Sequence, residues 1–206
     1  EGGMLITDDE NIANKVSQLK DHGANKSDLK RHKQKGSFFL PDFTLKGFNY
    51  RMTDIQGALG VCQMNKKDYI MNGRRKIAKK YNVSLSNLSQ LIIPYVPKGY
   101  KHGYQNYTCI FTDGENISNL NKEQIDRINT KRNVFMEKLE QMTIATRQGT
   151  HAIHTLGYYK DKNNFKDEDF LMSYAADKLS ISLPLYADMS DDEFDYVVSN
   201  IKDALK

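Results

Sequence analysis

Apolar positions recur along this chain with two periods, one helical and one alternating, and the changes between them lay out the elements. From Thr53 to about Val83 the spacing is helical, with Ile55, Leu59, Cys62, Tyr69, Ile70, Ile77 and Tyr81 on one side. That stripe predicts one long helix, with Gly73 in its middle as the place for a bend. Tyr107, Cys109 and Phe111 alternate within Tyr104 to Thr112, which reads as a strand. Asn121 caps a further helix whose stripe is Ile125, Ile128, Phe135, Leu139 and Met142. Thr143 to Thr146 reads as a short strand, and Asp167 opens a helix carrying Leu171, Tyr174 and Ala175. Ile181, Leu183 and Leu185 alternate as a last strand, and Pro184 puts that strand at an edge or at its own end. Ser190 and Glu193 form a capping box for a final helix striped by Phe194, Val197, Val198, Ile201 and Leu205. These signals agree on a small α+β unit.

The chain before Thr53 is less regular. Met4 to Thr7 reads as a strand entering a helix, with Thr7 and Glu10 as its capping box, Ile12, Val16 and Leu19 as its stripe and Gly23 as its stop. Ala24 to Lys46 has no clear period and carries Lys26, Lys30, Arg31, Lys33, Lys35 and Lys46. A stretch of this length inside a compact domain is a lid, a phosphate-attracting loop or a solvated surface loop. Ser84 to Asn87 and Pro94 to Gly103 read as linking loops.

Composition narrows the class. A chain of 206 residues with 39% hydrophobic and 27% charged residues is soluble and globular, large enough for one good core or two small ones. The net charge of +4 is too mild for a nucleic-acid binder. Cys62 and Cys109 each sit in an apolar pattern, which predicts buried free thiols of a cytoplasmic protein. No zinc-type Cys/His spacing, no apolar run of membrane-spanning length and no signal peptide is present. The first residue is Glu1, which suits a piece of a longer protein or a processed product.

Two stretches carry candidate chemistry. Gly47-Phe48-Asn49-Tyr50-Arg51-Met52 leads into Thr53, which forms a capping box with Gln56. Asn49 brings an amide donor and Arg51 a planar cation just ahead of the positive end of a helix. That arrangement is either an anion site or an ordinary capped turn in which Arg51 braces a neighbouring loop. In the second stretch His151 and His154 lie three apart, with Arg147 before them and Tyr158 and Tyr159 after. A metal site would need further ligands that the spacing does not offer. The histidines are then turn residues satisfied by backbone groups, or substrate contacts. Arg147 is suited to gripping a diphosphate in two-pronged fashion or to a surface ion pair.

The run Gly47-Phe48-Asn49-Tyr50-Arg51-Met52-Thr53-Asp54-Ile55-Gln56-Gly57-Ala58-Leu59-Gly60 resembles the signature of the DegT/DnrJ/EryC1/StrS family of pyridoxal-phosphate-dependent sugar aminotransferases. Glu1-Gly2-Gly3-Met4, Asp21-His22-Gly23-Ala24, Thr150-His151-Ala152-Ile153-His154 and Leu183-Pro184-Leu185-Tyr186 extend the likeness along nearly the whole chain.

The resemblance implies the end of a fold-type I transferase large domain with its long connecting helix over residues 1–83. A small C-terminal α+β domain follows over 84–206, so the fold class lies between α/β and α+β. It places the Schiff-base lysine before Glu1, outside this sequence, so no catalytic residue is expected here. It implies that Asn49 reaches the cofactor phosphate across a homodimer interface with Arg51 beside it, and that His154 lies on the sugar-binding side with His151 and Arg147. Tyr104 and Tyr107 match aromatic positions of the family's first small-domain strand, or are simply core and edge packing. The family pattern often has Pro after the arginine; here the residue is Gln148, so the rigidity of a proline is absent. The activity implied is transfer of an amino group from glutamate to a keto-sugar nucleotide in cell-surface polysaccharide biosynthesis. The alternatives are a sugar dehydratase of the same family or a non-catalytic interaction module.

Overall fold

The computed structural model describes residues 2–25 and 41–206. The basic residues Lys26, Lys30, Arg31, Lys33 and Lys35 fall outside them, and so does the reading of that stretch as a lid or phosphate-attracting loop. The chain divides into two compact units, Glu1–Lys66 and Lys67–Lys206. The division lies earlier than the one expected after residue 83.

Among its described residues the first unit holds the helices α1 (Glu10–Leu19) and α2 (Asp54–Asn65). Asp9, rather than Thr7, caps α1: its Oδ1 accepts from the N–H groups of Asn11 and Ile12, and Thr7 Oγ1 accepts from Asp9 N. A carboxylate is the stronger acceptor at a helix N-terminus, and it adds charge complementary to the dipole. Met4 to Thr7 form no strand, because nothing among the described residues offers them a ladder. Thr53 caps α2 as expected, with Thr53 Oγ1 accepting from Gln56 N and Gln56 Oε1 accepting from Thr53 N.

The expected long helix is two helices. It breaks at Lys66, and α3 (Lys67–Leu85) begins the second unit. Gly73 lies inside α3 and has another purpose: a Cβ there would meet the Ala187 carbonyl oxygen at 2.7 Å and its Cα at 2.9 Å. The glycine lets the segment after the last strand cross the helix closely. Ile77 and Tyr81 of the predicted stripe are buried, whereas Ile55, Leu59, Cys62 and Tyr69 are exposed.

The second unit is built on a three-stranded antiparallel sheet in the order β1 (Leu91–Ile92), β2 (Tyr107–Phe111), β3 (Ser180–Leu183). Leu91 pairs with Phe111, and Cys109 with Ile181. Tyr107, Cys109 and Phe111 point into the core as their alternation predicts, and β3 is an edge strand that ends before Pro184. The strand expected at Thr143 to Thr146 is absent. Thr143 turns with φ 58°, and only Arg147 bridges to Ser182 of the sheet edge. Sheet and helices enclose one core, in which α4 (Lys122–Gln141) and α7 (Asp191–Ala204) bury the predicted Ile125, Ile128, Phe135, Leu139, Phe194, Val197, Val198 and Ile201. Between α4 and β3 the chain forms a 3-10 turn at Ile153–Thr155, α5 (Gly157–Asn163), a second 3-10 turn at Asp167–Phe170 and α6 (Leu171–Leu179). Tyr81 sits at the centre, its ring 4.8 Å from the rings of both Tyr107 and Phe194, its hydroxyl donating to Pro184 O at 2.9 Å.

Candidate functional site

In the first unit, the corner after α1 and the stretch before α2 are locked together. Phe48 N donates to Leu19 O at 2.7 Å, His22 N to Phe48 O at 2.9 Å and Tyr50 N to Lys20 O at 2.8 Å. The corner turns through His22 (φ 57°) and Gly23 (φ 82°). A Cβ on Gly23 would stand 1.8 Å from Leu45 O, and one on Gly47 would stand 2.1 Å from Gly23 N. Only glycine fits either position. The Asp21-His22-Gly23-Ala24 and Gly47 to Arg51 motifs are thus two halves of one object.

That object presents Asn49 and Tyr50 outward, both exposed, with the Tyr50 ring stacked on Phe48 at 5.1 Å. Arg51 Nε donates to Asn49 Oδ1 at 3.2 Å, and Arg51 Nη1 meets Asp21 Oδ1 at 3.3 Å. Arg51 therefore braces the neighbouring corner while remaining about half exposed at the start of α2. With its oxygen engaged by Arg51, the exposed Asn49 amide keeps its NH2 group as a donor.

In the second unit the structure gives the other three predicted residues different settings. His151 is exposed, its Nδ1 a long 3.5 Å from Gln148 Nε2. His154 is buried (5% exposed), its Nε2–H donates to Asp167 O at 3.1 Å and its ring meets Phe170 edge-on at 5.1 Å. Arg147 is held by its backbone, with N donating to Ser182 O at 3.2 Å and Ser182 N donating back to Arg147 O at 2.6 Å. Its side chain is exposed and lines a cavity of about 360 Å³ with Asn133, Met136, Glu137 and Glu140. A larger and mainly apolar cavity of about 650 Å³, bounded by Ile144, Pro184, Tyr186, Met189, Tyr196 and Val197, takes in none of Asn49, Arg51, Arg147, His151 and His154.

Two buried charged residues under this loop were missed. Asp177 (5% exposed) accepts from Gln148 Nε2 at 2.6 Å on one oxygen and from Ala152 N at 2.8 Å on the other. Arg132, equally buried, donates from Nη1 to Ser180 O at 3.0 Å, while its Nε has no hydrogen-bond partner. Burial pulls the Arg132 guanidinium below its ordinary pKa, and the Asp177 carboxylate acts in the opposite sense. Both were visible in principle. Arg132 falls in the stripe of Ile125, Ile128, Phe135 and Leu139, and Asp177 lies one turn after Tyr174 on the buried face of α6.

Among the described residues no group of three or more His, Cys, Asp or Glu side chains is placed to hold a metal ion, and no helix is long and apolar enough to cross a membrane. Tyr107 donates from its hydroxyl to Asn82 Oδ1 at 2.7 Å inside the core, and Tyr104 (φ 44°) stacks near it at 6.3 Å. Both are core residues in this unit.

The model of the DegT/DnrJ/EryC1/StrS aminotransferase family matches residues 1–202, and the chain belongs to that family. It is 33% identical over 202 residues to the uncharacterized protein MJ1066 of Methanocaldococcus jannaschii, covering 98% of this chain and 49% of that protein. It is 31% identical over 206 residues to the spore coat polysaccharide biosynthesis protein SpsC of Bacillus subtilis, covering 100% of this chain and 50% of SpsC. The chain thus spans about half the length of these curated relatives. In fold it is similar to the putative sugar aminotransferase Spr1654 from Streptococcus pneumoniae, with a TM-score of 0.78, 23% identity and coverage of 97% of this chain and 46% of that one. It is also similar to Helicobacter pylori PseC, an aminotransferase involved in the biosynthesis of pseudoaminic acid, with a TM-score of 0.77, 18% identity and coverage of 97% and 47%.

Proposed function

We propose that the protein containing this chain is a pyridoxal-phosphate-dependent aminotransferase that moves an amino group from glutamate to a keto-sugar nucleotide for polysaccharide biosynthesis. The observation that carries the reading is the family match over residues 1–202, reinforced by the likeness to SpsC. The residues present suit the cofactor's phosphate. An exposed amide from Asn49 and the half-exposed Arg51 cation stand ahead of the capped end of α2. When bound, the cofactor supplies an electron sink for the carbon that loses its proton.

This chain's own part is to bind and orient. Asn49 donates to the cofactor phosphate, and Arg51, tied to Asp21, fixes the direction of that amide. In the proposed dimer this pair serves the partner's site. Arg147 grips the nucleotide diphosphate with two parallel N–H donors, and His151, also exposed, contacts the sugar. His154, buried and bonded to Asp167 O, holds the turn that follows His151.

The activity is tested with the full-length protein, glutamate and keto-sugar nucleotides, by following aminated sugar by mass. Loss of the cofactor's visible absorption on adding glutamate is the second expected result; neither signal with any keto-sugar nucleotide would refute the reading. The Asn49→Ala variant should hold the cofactor about ten- to a hundredfold more weakly, since a hydrogen bond to a charged acceptor contributes roughly 1.5–3 kcal/mol. Its thermal stability should be nearly unchanged, because Asn49 packs in no core. Unaltered cofactor retention in that variant would reduce Asn49 to a loop residue.

A further inference from the structure

The loop from Arg147 to Ala152 is fastened to the sheet edge and α6 at every second residue or so. Arg147 makes the two backbone bonds to Ser182. Gly149 N donates to Ser180 Oγ at 3.1 Å, and the chain passes so close to the sheet that a Cβ on Gly149 would stand 2.3 Å from Thr108 Cγ2 and 3.0 Å from Ser180 Cβ. Ala152 is fully buried, and its N–H is taken by Asp177. Between these anchors the Gln148 amide has two N–H donors, and it uses them on Asp177 Oδ1 at 2.6 Å and on the loop's own Thr150 O at 2.7 Å. The side chains left pointing out are those of Arg147, Thr150 and His151.

We propose that Asp177 and Gln148 form a hydrogen-bonded clamp that sets the shape of this loop and so positions Arg147 and His151 for a nucleotide-sugar substrate. The inference rests on the functional reading above for its ligand, while the clamp itself stands on geometry. Two arguments carry it. A buried carboxylate beside a buried guanidinium with an unpartnered Nε is a poor way to gain stability, since apolar residues of the same volume do as well or better. Both carboxylate oxygens are spent on the loop rather than on a cation, which makes Asp177 a fixture for backbone shape. Gln148 also stands where a proline would give rigidity covalently. Its own N–H donates no hydrogen bond among the described residues and its φ is not positive, so a proline there would remove no backbone hydrogen bond. The side chain supplies by hydrogen bonds the stiffness that a ring would supply by φ.

Asp177 and Gln148 are positioning residues, and the test separates shape from contact. In the full-length protein, uridine, thymidine and guanosine diphosphates serve as calorimetric probes, and hydrogen exchange reads the Ala152 amide. Gln148→Ala, which empties no core, should weaken the diphosphate that binds best by about tenfold, raise KM for the sugar nucleotide more than it lowers kcat, and leave Tm nearly in place. Asp177→Asn keeps one acceptor and should speed Ala152 exchange and weaken the diphosphate at least as much. Adding Gln148→Pro to Asp177→Asn should recover most of the affinity, because the ring restores loop shape without restoring any side-chain donor. Unchanged diphosphate affinity in both single variants, with Ala152 exchange accelerated, would overturn the positioning role. Failure of the proline to rescue would overturn it in favour of direct contact by Gln148. A wild-type protein that binds none of the three diphosphates would overturn the functional reading and the substrate half of this proposal together. Accelerated Ala152 exchange in Asp177→Asn would then still establish the clamp as a feature of the fold.

Discussion

Helix α2 in the first unit is richer in apolar residues than α4 in the second, yet α2 buries none of its residues while α4 buries Ile125, Ile128, Phe135 and Leu139. The difference lies in arrangement. On α4 the buried apolar residues fall on one stripe, with Arg132 as the one charge among them, so one neighbouring layer is enough to cover it. On α2 Ile55, Ala58, Leu59, Val61, Cys62 and Met64 run round the helix, a pattern that calls for cover on several sides. Ile55 is 77% exposed and Leu59 62%. Hydrophobic periodicity tells which faces want cover. It does not tell whether the covering residues belong to the same unit.

The comparison is broken most forcefully by paired truncations. Tyr81→Ala removes a fully buried ring packed between Tyr107 and Phe194 and orphans the Pro184 carbonyl, so it should cost about 3–5 kcal/mol in urea unfolding of the second unit. Leu59→Ala in the same chain should stay within ~0.5 kcal/mol. A loss of several kcal/mol at Leu59 would mean that α2 is covered after all.

What the sequence made legible follows the same division. In the second unit the stripes of α4 and α7, the alternation of β2 and the stop at Pro184 all appear where local pattern puts them, because pattern and packing partner lie within one core. β1, only Leu91 and Ile92, is too short to show a period and is created by its partner, β2. The break at Lys66 escaped because no glycine or proline marks it, whereas Gly73, which looked like a hinge, answers to the Ala187 backbone. Of the candidate residues, motif and resemblance named Asn49 and Arg51 in the first unit and Arg147, His151 and His154 in the second. They could not tell an exposed His151 from a buried His154, since only the Asp167 and Phe170 segments that fold over the second ring distinguish them. Gln148 read as a departure from a rigid pattern, and its side chain turns out to span Asp177 and Thr150.

The two cysteines sharpen the contrast at smaller scale. Both sit in apolar patterns, but Cys62 is exposed on α2 and Cys109 is buried in β2, where desolvation pushes its thiol up to about 12. A thiol reagent at pH 8 should label Cys62 at once and Cys109 only as the chain unfolds. The sign of the pH effect follows. The folded pKa of Cys109 lies above the ordinary value of 9.0, so its contribution is fully present below pH 9 and is lost as pH rises from there towards 12. Tyr174, also raised to about 12 by burial and by the Asp126 carboxylate that accepts its hydroxyl, loses its contribution over the range from 10 to 12. The denaturation midpoint should therefore fall as pH is taken from 8 to 11, and a midpoint that rises would contradict these burials. Slow labelling of Cys62 would again point to a cover over α2.

The smallest effect uses one device present in both units. Thr53 with Gln56 starts α2 and Ser190 with Glu193 starts α7, each a reciprocal capping box with the N-cap hydroxyl accepting from the third residue's N–H at 3.3 and 3.2 Å respectively. Removing such a hydroxyl costs about 1 kcal/mol of local helix stability in either place. Where that loss appears depends on coupling to a core. Helix α7 buries Phe194, Val197, Val198, Ile201 and Ala204, so Ser190→Ala should lower the stability of the whole second unit by about that 1 kcal/mol, seen as a shifted urea midpoint at constant slope. Helix α2 buries nothing, so Thr53→Ala should leave that midpoint in place and speed amide exchange within Asp54–Asn65 alone. Equal midpoint shifts in the two variants would show that α2 unfolds as part of the same cooperative body, and the contrast between the two helices would then be one of exposure without independence.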